Sequence, residues 1–552
     1  MAAASPCRGI SGSPVLENHR RRAILAGVRQ MTVPAHTRPV ESVDPATGQI
    51  LKRFETTTQG VVVEAAGRAR VAQRMWADEP IGARVRVLVR FHESLFRRRR
   101  EVAEALTREN GKPVAEAISS EIATALDFAN YYAREAPRFL RSPWFNAAQL
   151  AMKRKRIRIT HDPLGVVGVI SPWNYPFMLS AAVAIPALVT GNAVLLKPSE
   201  FTPESGELLA SLFHEAGIPR DLFVVLQGDG STGAALCDAP VDKIFFTGSV
   251  STGRRVAMKC AERLVPCALE LGGSDAALVL ADADVKHAAS GIAWGRFANA
   301  GQTCVAPKRI YVEAPAYDAF MAELGKAVRA LRVGAGGVQE TDVGPMIRAE
   351  AVAALESQRD DAVSRGATVV ATAALEPGSG SFFAPTVLAN VPGDARVLHE
   401  ETFGPLLPVV RVKDAEEAIE LANASEFGLS ASIWSKDTAR AARVAQRIEA
   451  GSVVINDSVI AAGMVDVPHG GVKQSGIGRT HAKAGLEECV RTKTIIIDRF
   501  ASWRQAWWFG YSPDYGEGID AYVRVAHSRS VVEKILALPK FMQFVFRPRR
   551  PV

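Results

Sequence analysis

The 552-residue chain is longer than one hydrophobic core usually organises, so two or three domains are expected. Apolar residues make up 48% and charged residues 22%, a balance that excludes fibrous, low-complexity and disordered classes. The net charge of +8 gathers in short runs (Arg20–Arg22, Arg97–Arg100, Lys153–Arg158, Arg547–Arg550) with no zinc-finger spacing or RNA-binding aromatic run beside them, so no nucleic acid is expected as a partner.

Within the flank of residues 1–40, the first 30 carry Arg8, Arg20–Arg22 and Arg29 against Glu17 and hold no apolar stretch long enough for a secretory signal. This reads as a flexible flank; a transit peptide and a later start at Met31 both fit it as well. The six cysteines lie far apart without a CxxC pair, so neither a disulfide scaffold nor a metal site is expected. A reducing compartment, the cytoplasm, suits them.

Helical periodicity dominates residues 60–140, with apolar residues three and four apart over Val61–Met75 and Gly82–Leu106. Lys153–His161 then alternates basic and apolar residues, as a strand with one solvent face does. From Val166 the pattern changes to short β-rich runs separated by helical ones. Val166–Ile170, Ala193–Lys197, Leu222–Leu226 and Lys243–Phe246 read as strands of a parallel, doubly wound sheet. The most apolar stretch, Met178–Leu196, is broken by Pro186, Gly191 and Asn192 and reads as a buried helix, turn and strand, not a membrane span.

A second alternating block runs from Ala276 to Asp457, with strands at Ala277–Leu280, Arg309–Val312, Leu407–Val412 and Ser452–Ile455. Thr492–Asp498 is an isolated exposed strand beyond it. Residues 501–552 differ again: Trp503, Trp507, Trp508, Phe509, Tyr511 and Tyr515 cluster, and an apolar and basic end follows in which Pro539 interrupts any helix. Packing on the body or on a neighbouring subunit is one reading of this extension. A weak membrane contact at headgroup level is the other.

Four segments carry chemistry. Asn299-Ala300-Gly301-Gln302-Thr303-Cys304 places a thiol after a glycine-containing turn that follows the helical run Ala288–Phe297; a lone cysteine is more often a small buried hydrophobe than a nucleophile. Leu269-Glu270-Leu271-Gly272-Gly273 sets a carboxylate in apolar surroundings, which suits either a general base of raised pKa or a simple helix cap. Ser171-Pro172-Trp173-Asn174-Tyr175-Pro176 stiffens the loop after a strand, so the Asn174 amide is either an oxyanion donor or part of a rigid turn.

The fourth segment, Thr247-Gly248-Ser249-Val250-Ser251-Thr252-Gly253, joins a strand to a helix and aims backbone N–H groups at a phosphate. Its Gly-x4-Gly spacing is not the usual dinucleotide fingerprint. Lys197 and Glu200 supply a cation and an acid at the carboxyl edge of the same sheet, where ligands bind in such folds.

Together and in this order, these residues resemble the aldehyde dehydrogenase superfamily, from about Val43 to Asp498, including Glu400–Pro405 and Pro468–Gly476. The resemblance implies an α/β fold of two doubly wound parallel-sheet domains. A Rossmann-like cofactor domain takes 41–150 and 164–270, a catalytic domain 271–475, and a small β oligomerisation arm 151–163 and 476–500. It also implies oxidation of a small-molecule aldehyde to its acid through a cysteine thiohemiacetal and thioester. Cys304 is then the nucleophile, Glu270 the base, and Asn174 with the Cys304 N–H the oxyanion hole. Lys197 and Glu200 contact a cofactor ribose, Glu401 the nicotinamide ribose, and Phe403 flanks the nicotinamide. Trp173, Gly248 and Ser249 contact adenosine and phosphate, with Gly253 closing the same turn. The arm implies a homodimer or homotetramer.

Glu200 favours NAD, because a carboxylate accepts from a ribose diol and repels a 2′-phosphate; Lys197 beside it leaves NADP open. Ser274 follows the Glu-Leu-Gly-Gly motif where a lysine or similar polar residue is usual, and His469 stands where the family has phenylalanine near the active-site mouth. Phe177, Met178, Leu179 and Ala182 face that mouth without an arginine, and the loop Asp457–Met464 is small and apolar, so an apolar aldehyde is expected. The aromatic tail also looks like a succinate-semialdehyde dehydrogenase, which keeps a carboxylated aldehyde as the alternative. A CoA-acylating enzyme would use the same thiol but has no need of Glu270. A non-catalytic binding protein on this fold has no need of the whole set.

Overall fold

Five consecutive residues, Val166–Ile170, are buried on both faces, which only a strand covered on two sides allows. In the computed structural model, which describes residues 38–376, 380–499, 505, 508–509 and 511–546, this strand lies inside a six-stranded sheet. The order is Gly476–Ile477, Cys267–Glu270, Lys243–Thr247, Val166–Ile170, Ala193–Lys197 and Phe223–Val225; all neighbours are parallel except the first pair. Helices cover both faces. The helix Ile81–Asn110 packs on Pro203–Glu215 through Phe91 stacked on Phe213 at 4.4 Å.

The chain leaves this sheet at Glu270 and enters the second at Asp275. That seven-stranded sheet runs Thr368–Thr372, Thr386–Ala389, Leu406–Val412, Pro307–Glu313, Asp275–Val279, Ser430–Trp434 and Ser452–Ile455, with only the first strand antiparallel. The α/β fold of two parallel-sheet domains is therefore present. Three of its strands escape a reading by pattern, the first being Thr368–Thr372, an edge strand exposed at four of its five positions. Thr386–Ala389 is only four residues long, and Ser430-Ala431-Ser432-Ile433-Trp434 hides two buried serines in what would otherwise be an apolar run.

Three boundaries need correction. The antiparallel arm has a third strand, Trp144–Asn146, beside Lys155–Pro163 and Val490–Asp498, so it begins before residue 151. Residues 476–489 are not part of it: Gly476–Ile477 joins the first sheet, and the helix Ala482–Glu487 packs on Thr124–Phe139. The arm's second segment starts at Val490. Lastly, Pro539 does not interrupt a helix. Pro513–His527 and Val531–Phe546 form a helical hairpin, and Pro539 sits inside the second helix. Trp503, Trp507, the Arg547–Arg550 run and the flank up to residue 37 lie outside the described residues.

Candidate active site

The crossing between the two sheets, Leu271–Ser274, brings the site together. Glu270 ends the last parallel strand of the first sheet. A Cβ on Gly272 would overlap the Glu401 carboxylate, and one on Gly273 would lie 2.9 Å from the Cys304 carbonyl. The two glycines are thus required by close approach: they let Glu401 and the Cys304 loop reach the strand end. Glu401 in turn accepts from the Gly273 N–H at 3.0 Å.

Cys304 follows a turn in which Asn299, Ala300 and Gly301 all have positive φ (51°, 54° and 73°). Two non-glycine residues in that region cost about 1–3 kcal/mol each, so the surroundings must impose the shape. Asn299 donates through its side chain to the Asn174 carbonyl (2.9 Å), and its backbone N–H donates to Glu116 (2.8 Å). Gln302 donates to the Asn299 carbonyl (3.1 Å) and accepts from the Ile347 N–H (2.9 Å). The buried Lys308 ammonium donates to the carbonyls of Thr303 (3.0 Å) and Cys304 (2.6 Å). This is over-determination by hydrogen bonds from four separate segments.

Asn174 is held from behind. Its carbonyl accepts from Lys112 Nζ at 2.8 Å, and Lys112 is paired with Glu121 at 2.6 Å, both side chains being wholly buried. The other Glu121 oxygen accepts from the N–H groups of Phe177 and Met178, placing an anion at the N-terminus of the helix Pro176–Val189. The Asn174 Nδ2 gives one hydrogen to the Gln302 carbonyl at 3.0 Å, and an amide nitrogen has a second to offer.

A cavity of about 270 Å³ is lined by Trp173, Asn174, Leu179, Glu270, Cys304, Glu401 and Phe403, among others. Burial pushes the Cys304 thiol up to about 12 despite the nearby Lys308 charge, so the thiol holds its proton at neutral pH. Burial also pushes Glu270 up to about 8, against the Thr480 hydroxyl at 3.3 Å and the Arg479 charge. Glu270 Oε2 has no hydrogen-bond partner among the described residues. His469 Nε2 lies 3.9 Å from it, too far for a hydrogen bond, and the ring stacks on His481 at 5.1 Å between centroids. Burial drives His469 down to about 4, so the ring is neutral.

A larger cavity of about 750 Å³ opens beside the first, sharing Pro172, Trp173, Thr247, Gly248 and Ser249 with it. It lies at the carboxyl ends of three parallel strands and contains Lys197 and Glu200, paired at 3.0 Å. Ser249 caps the helix Val250–Glu262, whose first-turn N–H groups provide a phosphate seat. The pair of cavities fits a dinucleotide: hydrogen-bond acceptors for a ribose at Glu200, helix dipole at the middle, and an aromatic end where Phe403 meets Trp173 edge-on at 5.5 Å.

Ten of the eleven residues expected from sequence line one cavity or the other; Gly253 does not. It is buried in the helix, where a Cβ would overlap Leu271, so packing explains it. Of the four residues expected at the mouth only Leu179 lines the cavity, while Phe177, Met178 and Ala182 belong to the core of the first domain. Lys112, Glu121, Lys308 and Arg296 were not foreseeable. Arg296 is wholly buried and donates to the carbonyls of Thr402 (3.0 Å), Gly404 and Leu406 (3.1 Å), fixing the loop that carries Glu401 and Phe403. Their charges show in the sequence, but their partners are remote in it.

Residues 32–495 match the model of the aldehyde dehydrogenase family. A 4,4'-diapolycopene aldehyde oxidase from Methylomonas is 38% identical over 484 residues, covering 88% of this chain and 90% of that one. A succinate-semialdehyde dehydrogenase [NADP(+)] from Deinococcus radiodurans is 38% identical over 459 residues, covering 83% and 94%. Among solved structures, an NADP-dependent enzyme of E. coli superposes with a TM-score of 0.80 at 36% identity, covering 84% of this chain and 95% of that one. The chain therefore belongs to the aldehyde dehydrogenase family and is an oxidoreductase that acts on aldehydes with NAD(P).

Proposed function

We propose that the protein oxidises an uncharged, apolar aldehyde to its carboxylic acid through a thioester on Cys304. The observation that carries this reading is the convergence of Cys304, Glu270 and Asn174 on one cavity whose lining includes no lysine, arginine or histidine. A carboxylated aldehyde would enter beside Glu270 and Glu401 with no cation to meet it.

Because the Cys304 thiol is protonated at neutral pH, Glu270 is the group placed to take its proton as sulfur bonds to the carbonyl carbon. The oxyanion so formed accepts from the second Asn174 Nδ2 hydrogen and from the Cys304 N–H. NAD(P), when bound, supplies the acceptor for the hydride lost from this adduct. Once Glu270 has passed the thiol's proton to solvent, its carboxylate takes a proton from the water that attacks the thioester; the C–S bond breaks, the acid leaves, and the Cys304 sulfur regains a proton from Glu270. Lys197 and Glu200 hold the ribose, Ser249 and the helix it caps the phosphates, and Glu401 and Phe403 the nicotinamide end. Glu200 favours NAD; its pairing with Lys197 weakens the repulsion of a 2′-phosphate and keeps NADP in use.

The Methylomonas relative supports an apolar substrate by its name, and the Deinococcus relative favours the second reading, succinate semialdehyde or another carboxylated aldehyde. One experiment separates them: kcat/KM for hexanal, decanal, benzaldehyde and succinate semialdehyde, with NAD and with NADP. Long-chain and aromatic aldehydes should exceed succinate semialdehyde by about tenfold or more, since each buried CH₂ is worth about 0.8 kcal/mol. A specificity constant highest for succinate semialdehyde sinks the apolar reading. Glu200→Gln should shift the NAD/NADP preference towards NADP.

A further inference from the structure

The C-terminal helix Val531–Phe546 is two-faced, and only one face has a partner among the described residues. Ala537 is buried against the helix Pro513–His527; Phe541 meets Tyr522 at 5.8 Å and Phe544 meets Tyr515 at 5.6 Å. The other side carries Val532, Ile535, Leu536, Leu538, Met542 and Val545, each between 44% and 75% exposed. A contiguous apolar stripe of this kind marks an interaction surface. At 16 residues the helix is about 24 Å long, short of the roughly 30 Å hydrocarbon core, and no described helix is long and apolar enough to cross a membrane.

The charges select what covers the stripe. Within the hairpin, Arg524 pairs with Asp520 at 2.7 Å and Lys540 with Glu517 at 2.5 Å, while Glu533 accepts from the Ser528 hydroxyl at 2.6 Å. Over residues 511–552 the sequence sets four acids, Asp514, Glu517, Asp520 and Glu533, against seven cations, and the excess is carried by the last three, Arg547, Arg549 and Arg550. A second copy of this segment would bring the same excess of positive charge, which repels; an anionic surface complements it. Trp508 and Tyr511, 53% and 61% exposed, precede the hairpin and are residue types suited to headgroup level.

We propose that the exposed face of Val531–Phe546 docks in the plane of an anionic phospholipid bilayer, with its apolar stripe among the acyl chains and the terminal cations on the lipid phosphates. An apolar aldehyde dissolves in the same bilayer, but the docking stands whichever aldehyde the enzyme oxidises. A helix lying in the interface holds by apolar area and by charge together, so both must be tested.

The test is co-sedimentation of the full chain with vesicles of phosphatidylcholine, alone and mixed with phosphatidylglycerol, at low and high salt. The chain should pellet with the mixed vesicles, weakly with the neutral ones, and less at high salt. Ile535→Glu/Leu536→Glu/Met542→Glu should weaken that binding by about tenfold or more while NADH production from a water-soluble aldehyde stays unchanged. Arg547→Ala/Arg549→Ala/Arg550→Ala should lose roughly fivefold per cation on mixed vesicles. Equal binding to neutral and anionic vesicles overturns the proposal, as does binding that neither variant weakens. So does a fall in solution mass of the triple glutamate variant without any vesicle binding by the parent, which would assign the face to a second copy.

Discussion

Glu270 and Cys304 share a cavity, and burial acts on both in the same direction, raising the carboxyl to about 8 and the thiol to about 12. Only the carboxylate form of Glu270 can take a proton, so turnover should rise with pH and level off above about 8. His469, neutral with its ring driven down to about 4, should add no inflection between pH 5 and 7. Steady-state rates from about pH 5 to about pH 9.5 check both statements. Glu270→Gln should lower kcat by about a hundredfold or more and remove the inflection near 8. A profile that keeps this inflection in the variant assigns it elsewhere. For stability the sign is opposite. The folded carboxyl lies above its ordinary 4.5, so its favourable contribution is present in full below 4.5 and is lost as pH rises through about 8.

At the scale of elements, the oxyanion side of the site depends on Ala117–Ala123, a π-helical turn that carries Glu121 to the N-terminus of Pro176–Val189 and to Lys112. Lys112→Met would leave Glu121 buried without its cation and take a donor from the Asn174 carbonyl. A loss of about 3 kcal/mol in denaturant unfolding is expected, together with a lower kcat. Lys112→Met/Glu121→Gln should recover part of the stability and none of the rate, because the Asn174 carbonyl stays without its donor. This network also marks the limit of what sequence discloses. Val166–Ile170 is legible because all five residues are apolar enough for a doubly covered strand, and Cys304, Glu270 and Asn174 because their local motifs are distinctive. Lys112 and Lys308 are not, since a buried cation looks like any surface lysine until its partners are brought to it. Pro539 misleads for a related reason: its missing N–H breaks an isolated helix, yet tertiary packing of Ala537, Phe541 and Phe544 on the preceding helix carries the turn through it.

At the scale of the whole molecule, the antiparallel arm ends on a strand whose outer side is unpaired among the described residues. Val490–Asp498 pairs in full register with Lys155–Pro163 over nine residues, and no strand among the described residues pairs its other side. Ile495, Ile496 and Ile497 on it are 36%, 60% and 47% exposed. An edge strand with three consecutive exposed isoleucines invites further pairing, and the partner we expect is a second copy, as in a homodimer or homotetramer. Light scattering should therefore give a multiple of the 59.2 kDa chain mass. Ile496→Lys places a charge on the exposed face, cannot disturb the buried core, and should reduce that mass towards a single chain. A mass unchanged by the substitution, or a parent that is already monomeric, removes the arm from assembly. The same variant bears on the lipid surface. An assembly offers two or more C-terminal helices to one bilayer, and linked weak contacts multiply. Monomers made by Ile496→Lys should then release from anionic vesicles faster than the parent, although every residue of Val531–Phe546 is intact. Vesicle affinity that does not change with solution mass would mean that each helix docks alone.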